Sequence, residues 1–282
     1  MKPTQAASTA RAKAEAGTAD AQERNRIWWE TLPMTYEDWD APERKVEIEG
    51  NFEKYLEEFR ICSPFITNFP YGKLAGKSVL EIGCGSGGAS YLLAKGGAKV
   101  QAVDLTAAAV KNATSITKFY GLEVNVQQMD AEKLEFPDST FDFVFSWGVL
   151  HHSQDTQAAF RQVSRVLKPG GQGMIMVYNR HSLRYWQIGI REMLLRGKIF
   201  KGETWDSVQR TYTDGYYHRH FSPRELTQCL AREGLHVDKT TVTYMKEQML
   251  YKWPKAVDDY FKDKIGWLLV AEFTKGGGPA AV

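Results

Sequence analysis

Ser78-Val79-Leu80-Glu81-Ile82-Gly83-Cys84-Gly85-Ser86-Gly87-Gly88, a helix-like stretch, and then Val100-Gln101-Ala102-Val103-Asp104 decide the fold of this chain. A short apolar run enters a glycine-rich turn, a helix follows, and a second apolar run closes on an acid. That is the first half of a nucleotide-binding α/β unit. Gly83, Gly85 and Gly88 satisfy G-x-G-x-x-G. Glycine lets the backbone approach a ligand and take positive φ, and the helix behind it leaves amide donors free at its N-terminus. Asp104 stands at about the twenty-residue offset where a carboxylate accepts from both hydroxyls of an unphosphorylated ribose and repels a 2′-phosphate. On these residues alone the first candidate ligand is a dinucleotide such as NAD, and the pattern by itself is weakly specific.

Outward from this unit the pattern keeps alternating. Val124–Gln128 and Phe141–Phe145 read as strands, and Ala107–Tyr120 as a helix stopped at Gly121. Ala159, Phe160, Val163, Val166 and Leu167 form a helical stripe ending at Pro169-Gly170-Gly171, and Met174–Tyr178 is the next strand. Residues 180–221 break the rhythm with an apolar helix around Tyr185–Leu194 and a polar, aromatic loop. Ser222-Pro223-Arg224-Glu225 then reads as a capping box that opens a helix presenting Leu226, Cys229 and Leu230. Two last strands follow, near 237–244 and 267–273. Such alternation implies a mainly parallel sheet with helices on both faces.

Ahead of the core, Phe52, Tyr55, Leu56 and Phe59 share one helix face with Glu53, Lys54, Glu57 and Glu58 opposite. This cap either covers the ligand pocket or seals the core edge. Residues 1–22 carry no large apolar residue after Met1 and are expected to be a disordered tail. The expected organisation is therefore tail 1–22, helical cap 23–74, an α/β domain 75–275 with a lid at 180–221, and a flexible end at 276–282.

Bulk composition narrows the class. The 282 residues are 43% hydrophobic, enough for a substantial core. A net charge of +2 gives no electrostatic case for a dedicated nucleic-acid or membrane binder. Cys62, Cys84 and Cys229 are too few and too dispersed for a disulfide framework or a metal cluster. No apolar run is long enough to span a bilayer and no secretory signal is evident, so a cytoplasmic protein is expected.

Residues beyond the turn extend the signature. Glu81-Ile82-Gly83-Cys84-Gly85-Ser86-Gly87 matches E-x-G-x-G-x-G. Met129-Asp130-Ala131-Glu132, the run Phe141 to His152 and Leu167-Lys168-Pro169-Gly170-Gly171 follow in order. Together they resemble the motifs of class I S-adenosylmethionine-dependent methyltransferases, tightly over about residues 75–180, in the small-molecule branch that includes the ubiquinone and menaquinone biosynthesis enzymes. The resemblance implies an α/β, Rossmann-like, seven-stranded sheet with its last strand antiparallel, and S-adenosylmethionine as methyl donor. It implies that the backbone at Gly83, Gly85 and Gly87 passes the methionine part, with Cys84 among them. Asp104 would hold the ribose and Leu105 flank the adenine. Asp130 would accept from the adenine amino group and Ala131 offer its amide. Ser146 and Trp147 would stand by the methionine moiety. Glu81 would either orient the cosubstrate amino group through water or brace the turn.

For the reaction, the candidates are proton acceptors and pocket walls. Alignment and exclusion of water suffice for methyl transfer unless the acceptor must lose a proton. His151 and His152 follow the fourth strand, either as a base or as packing residues. Tyr212, Asp214, Tyr216, Tyr217, His218 and His220 form a second polar cluster, and Tyr178, Asn179, Arg180 and His181 leave the fifth strand toward the same mouth. Of these, His218 and His220 are further catalytic candidates, and Tyr178, Arg180, Tyr212, Tyr216 and Tyr217 substrate contacts. Tyr36, Trp39 and Trp147 are candidates for an aromatic cage around a cation, with Tyr36 assigned to the cosubstrate. Arg180, Arg184, Arg191, Arg196, Lys198 and Lys201 make a basic side on the insertion, read as a solvated face, an anion site or an interfacial surface. The expected partner is a small-molecule acceptor, with no nucleic acid, metal or integral membrane contact, and a homodimer as the assembly to look for. Competing readings are an NAD-dependent oxidoreductase, a silent cofactor-binding protein and, without an N-P-P-Y motif after the fourth strand, a nucleic-acid methyltransferase.

Overall fold

Five parallel strands make the centre of the molecule: β1 (Ser78–Ile82), β2 (Lys99–Asp104), β3 (Val124–Gln128), β4 (Phe141–Trp147) and β5 (Leu167–Asn179). The computed structural model describes residues 5–17, 20–32, 50–212, 215–246, 249–250 and 253–276. β6 (His220–Phe221) adds a two-residue parallel pairing to the end of β5. With β7 (Leu235–Thr243) and β8 (Leu268–Lys275) the order becomes β3-β2-β1-β4-β5-β8-β7. β8 runs antiparallel to both of its neighbours. The expected seven-stranded sheet with its last strand inserted antiparallel is thus present, and β6 lies off its main path.

Strand side chains alternate between two cores, as the period of two requires. Val79, Val100, Phe143, Phe145, Met174 and Met176 enter one core. Leu80, Ile82, Val103, Val144, Ile175 and Val177 enter the other. Helices cover both faces: α1 (Gln5–Gly17), α2 (Ala21–Thr31), α3 (Phe52–Cys62), α4 (Pro64–Thr67), α5 (Gly88–Lys95), α6 (Ala107–Phe119), α7 (Thr156–Val166), α8 (Leu183–Ile190), α9 (Trp205–Tyr212), α10 (Pro223–Arg232) and α11 (Lys255–Ile265). The amphipathic cap helix read from Phe52, Tyr55, Leu56 and Phe59 is α3, and all four residues are buried in the first core.

Where sequence and structure differ, the causes are local. A disordered tail is expected over 1–22, yet Gln5–Gly17 and Ala21–Thr31 are helical. The two helices pack through α2's aromatic side: Ala10 is buried in one cluster with Trp28 and Leu32, against Trp29 and Tyr216. The helix expected to stop at Pro169-Gly170-Gly171 ends at Val166, and this segment belongs to β5. Its pairing jumps from Phe141↔Leu167 to Phe143↔Gln172, so the Pro–Gly segment is taken up as a bulge. Ser222 caps α10 through Glu225 N–H at 3.2 Å. The Glu225 carboxylate faces Arg219 at 2.6 Å and Arg180 at 3.1 Å. The insertion holds a second helix, α9, where a loop is expected. The 180–221 stretch is therefore two short helices, helical turns and the short strand β6. Tyr36, Trp39, Asp214 and residues 277–282 lie outside the described residues.

Candidate active site

The strand order reverses between β1 and β4, and a cleft opens there at the carboxyl ends of β1, β2, β4 and β5. It encloses about 1360 Å³, part of it open solvent. The glycine turn forms its floor. Gly83 has φ +79°, and a Cβ there would lie 2.1 Å from a Val149 methyl. Gly87, with φ +88°, heads α5, and a Cβ there would lie 2.7 Å from the Ala113 Cα of α6. Gly87 thus closes the packing behind the turn, while Gly83, Gly85 and Gly88 line the cleft.

Asp104 ends β2 inside the cleft. Its carboxylate accepts from the Gly85 amide at 3.0 Å, from the Thr106 amide at 3.0 Å and from the Thr106 hydroxyl at 2.9 Å. Burial raises its pKa against the pull of those donors. Asp130 accepts from the Glu132 amide at 2.9 Å and from the Gln22 amide group. Glu81 is 2% exposed and accepts a very short hydrogen bond from Ser90. Burial pushes its pKa up to about 7, opposed by the Ser90 bond and reinforced by Asp104. Burial, with Asp104 and Glu81 nearby, also raises the Cys84 thiol well above its ordinary value, so it is no nucleophile at neutral pH.

These three acids line the cleft with no Lys or Arg among the described lining residues. That wall suits a ligand carrying a sulfonium and an ammonium. It opposes the two negative charges of a dinucleotide pyrophosphate. Leu105, Ala131 and Trp147 also line the cleft, with Trp147 stacked on Phe65 at 5.5 Å. Ser146 does not: it is 1% exposed and donates to the Ile82 carbonyl at 2.9 Å, tying β4 to β1.

The histidine candidates separate. His152 lines the cleft and is 3% exposed. Its Nδ1 lies 2.8 Å from the Tyr217 carbonyl. A carbonyl only accepts, so Nδ1 carries the proton and Nε2 keeps its lone pair. Nε2 is buried with no hydrogen-bond partner among the described residues. Burial lowers the His152 pKa to about 4, the Tyr217 bond acting the other way, so the ring is neutral at physiological pH. His151, expected at the rim, is fully buried behind it, its ring centroid 4.1 Å from that of His152 and 3.9 Å from that of Tyr178. It lines neither cavity described here. His218 and His220 instead line a separate polar cavity with Arg180, Tyr185, Gln209, Tyr217 and Arg219.

Substrate candidates divide the same way. Tyr178 lines the main cleft. Arg180 is held by Glu225 at 3.1 Å and by the His220 carbonyl at 3.0 Å. Tyr217 reaches the site only through its carbonyl, and Tyr216 packs on the N-terminal layer, its hydroxyl accepting from Arg24 at 3.3 Å. The side chain of Tyr212 lies outside what is described. Gln22, Asn25 and Trp29 of α2 line the cleft as well; Asn25 and Trp29 belong to the cap expected over 23–74, and Gln22 to the stretch expected to be a tail. Tyr55, Phe59 and Ile66 complete an apolar end with Met176, Met245 and Leu268.

Comparison with known proteins agrees with this geometry. The family model described as "Methyltransferase domain" matches residues 80–175. The ubiquinone biosynthesis O-methyltransferase of Aeromonas salmonicida (strain A449) is 30% identical over 216 residues, covering 75% of this chain and 85% of the relative. Phosphoethanolamine N-methyltransferase 3 of Arabidopsis thaliana is 35% identical over 106 residues, 37% of this chain and 22% of the relative. A SAM dependent methyltransferase from Aquifex aeolicus shares the fold at a TM-score of 0.52 and 18% identity, over 82% of this chain and 99% of that one. With a donor cleft of matching charge, the ordered motifs and a relative aligned over most of its length, the chain belongs to the class I S-adenosylmethionine-dependent methyltransferases.

Proposed function

We propose that the methyl acceptor is a hydroxyl group on a neutral, largely apolar aromatic molecule, and that His152 takes its proton. The observation that carries this reading is the His152 ring: its Nδ1–H is spent on the Tyr217 carbonyl, and its Nε2 is left buried and unpartnered in a residue of the cleft wall. An amine that attacks through its own lone pair needs no such group, whereas a hydroxyl gains nucleophilicity as its proton leaves.

The rest of the wall supports the acceptor class. Tyr55, Phe59, Ile66, Trp147, Met176 and Leu268 present aromatic and aliphatic surface. No cation stands among the described lining residues to receive a carboxylate or phosphate, the group an acceptor such as phosphoethanolamine carries. A ring with an apolar substituent fits this lining, and the O-methyltransferase relative of Aeromonas salmonicida acts in ubiquinone biosynthesis by its name.

S-adenosylmethionine supplies a methyl group made electrophilic by its sulfonium. Glu81, Asp104 and Asp130 provide the acidic wall for its cationic and hydroxyl groups. His152 Nε2 receives the acceptor proton as the new O–C bond forms and the C–S bond breaks. Burial keeps the His152 ring neutral at physiological pH, so its Nε2 lone pair is available to take the proton. Apolar side chains keep water from the methyl group.

A panel of aromatic acceptors matched in size, bearing a hydroxyl, an amine or a hydroxyl with a carboxylate, tests this with labelled S-adenosylmethionine. Label should enter the neutral hydroxyl compounds, with the carboxylate analogue ~10-fold or more poorer, the order of an uncompensated buried charge. Preferred methylation of the amine or the anion would refute the reading.

A further inference from the structure

The insertion carries a surface that the cleft does not use. Trp186, Ile190, Leu194, Leu195, Ile199 and Phe200 are all exposed, Leu195 at 80% and Phe200 at 90%. They fall within residues 186–200, on α8, a π-helical turn (Arg191–Leu195) and a short 3-10 turn (Lys198–Lys201). The inward side of this segment is already filled: Ile188 and Met193 pack with Val208 and Trp205. The outward side, where a solvated helix places polar groups, is apolar instead. Six large apolar residues exposed so close together mark an interaction surface and not scattered surface apolarity.

Charge identifies the partner. Within residues 186–201 there are four cations, Arg191, Arg196, Lys198 and Lys201, and one acid, Glu192. Glu192 is fully buried and holds Arg191 at 2.9 Å, Arg196 at 2.9 Å and Lys198 at 3.7 Å. This buried acid fixes three cations beside the exposed apolar side chains. A second copy of the chain would bring the same basic patch against this one and be repelled. An anionic surface with an apolar layer beneath it satisfies both the cations and the apolar groups. Among the described residues no helix is long and apolar enough to cross a membrane.

We propose that the 186–201 face docks peripherally on an anionic lipid bilayer, with Leu195 and Phe200 entering the headgroup–acyl boundary and the surrounding Arg and Lys residues facing the lipid phosphates. This inference stands independently of the acceptor proposed above.

Vesicle flotation tests it with the full chain, using phosphatidylcholine vesicles with and without phosphatidylglycerol. Binding should require phosphatidylglycerol and weaken at high salt. The double variant Leu195→Ser/Phe200→Ser should lose ~10-fold or more of the binding, the order expected from two apolar side chains withdrawn from the boundary. Lys201→Glu should weaken binding to the anionic vesicles. Both variants should bind S-adenosylhomocysteine as the wild type does, which shows that they are folded. Absence of flotation on anionic vesicles, or flotation of the double variant at wild-type levels, would overturn the proposal. So would a concentration-dependent dimer in sedimentation velocity that the double variant dissolves while vesicles bind neither form, since it would assign the face to a second copy.

Discussion

Nε2 of Gln22 donates to both carboxylate oxygens of Asp130, at 3.0 and 3.2 Å, and so places the N-terminal layer on an acid of the cleft wall. Further bonds tie the same helix down. Asn25 donates to the His152 carbonyl at 2.9 Å, and Glu30 accepts from the Ala107 and Ala108 amides at 3.0 and 3.2 Å, at the positive end of α6. α2 is thus a strap across the cleft, fastened to residues on both sides of it.

If Asp130 receives the adenine amino group, Gln22 competes with it. Gln22→Ala should tighten S-adenosylhomocysteine binding by roughly 0.5–1.5 kcal/mol, the net worth of the bond that must be exchanged. Isothermal titration calorimetry reads this directly. Weaker binding in the variant would mean that Gln22 contacts the bound nucleoside.

Glu81 predicts a pH dependence. Its pKa in the folded protein is about 7, above the ordinary value of 4.5, so folding favours its protonated form. This contribution to stability is complete below about pH 4.5 and is lost as pH rises through about 7, with a total on the order of 3 kcal/mol. Melting curves of the ligand-free protein should show the loss, and Glu81→Gln should flatten it. A bound ammonium draws the proton off Glu81, so S-adenosylmethionine should bind more tightly as pH rises through 7. Below pH 7 that binding should release a proton, measured by titration in buffers of different ionisation heat. No proton release at pH 6 would place the ammonium away from Glu81.

Gly215 sets the position of His152. It has φ +88°, and a Cβ there would stand 2.4 Å from His152 Nδ1. Gly215→Ala must therefore shift the ring or the loop that presents the Tyr217 carbonyl. The expected result is a ~10-fold or greater fall in kcat, the scale of a misplaced proton acceptor, with the dissociation constant for S-adenosylhomocysteine unchanged. Equal loss of cosubstrate binding would show a wider collapse of the site.

Much of the donor side was legible in the sequence because it depends on backbone: the glycine turn, Asp104 at a strand end and Asp130 after the next strand each follow from local pattern. Ser146 was misplaced because its strand position puts it one residue from the cleft, and alternation turns it toward Ile82. The histidines could not be ranked from sequence. His151 and His152 are adjacent, and tertiary placement separates them: His152 lines the cleft, and the carbonyl of Tyr217, 65 residues away, fixes its tautomer. The cap was expected from residue 23, and its reach back to Gln22 and α1 was not, because a polar side chain and an alanine meet distant partners there with no apolar periodicity to announce them.

The central claim is that His152 accepts the proton during methyl transfer to a hydroxyl. Single-turnover transfer from labelled S-adenosylmethionine to a neutral hydroxylated aromatic acceptor, comparing the wild type with His152→Gln, tests it most directly. The rate of transfer should fall ~10²-fold or more, with cosubstrate affinity and melting temperature held near wild type. Transfer by His152→Gln at the wild-type rate would contradict it.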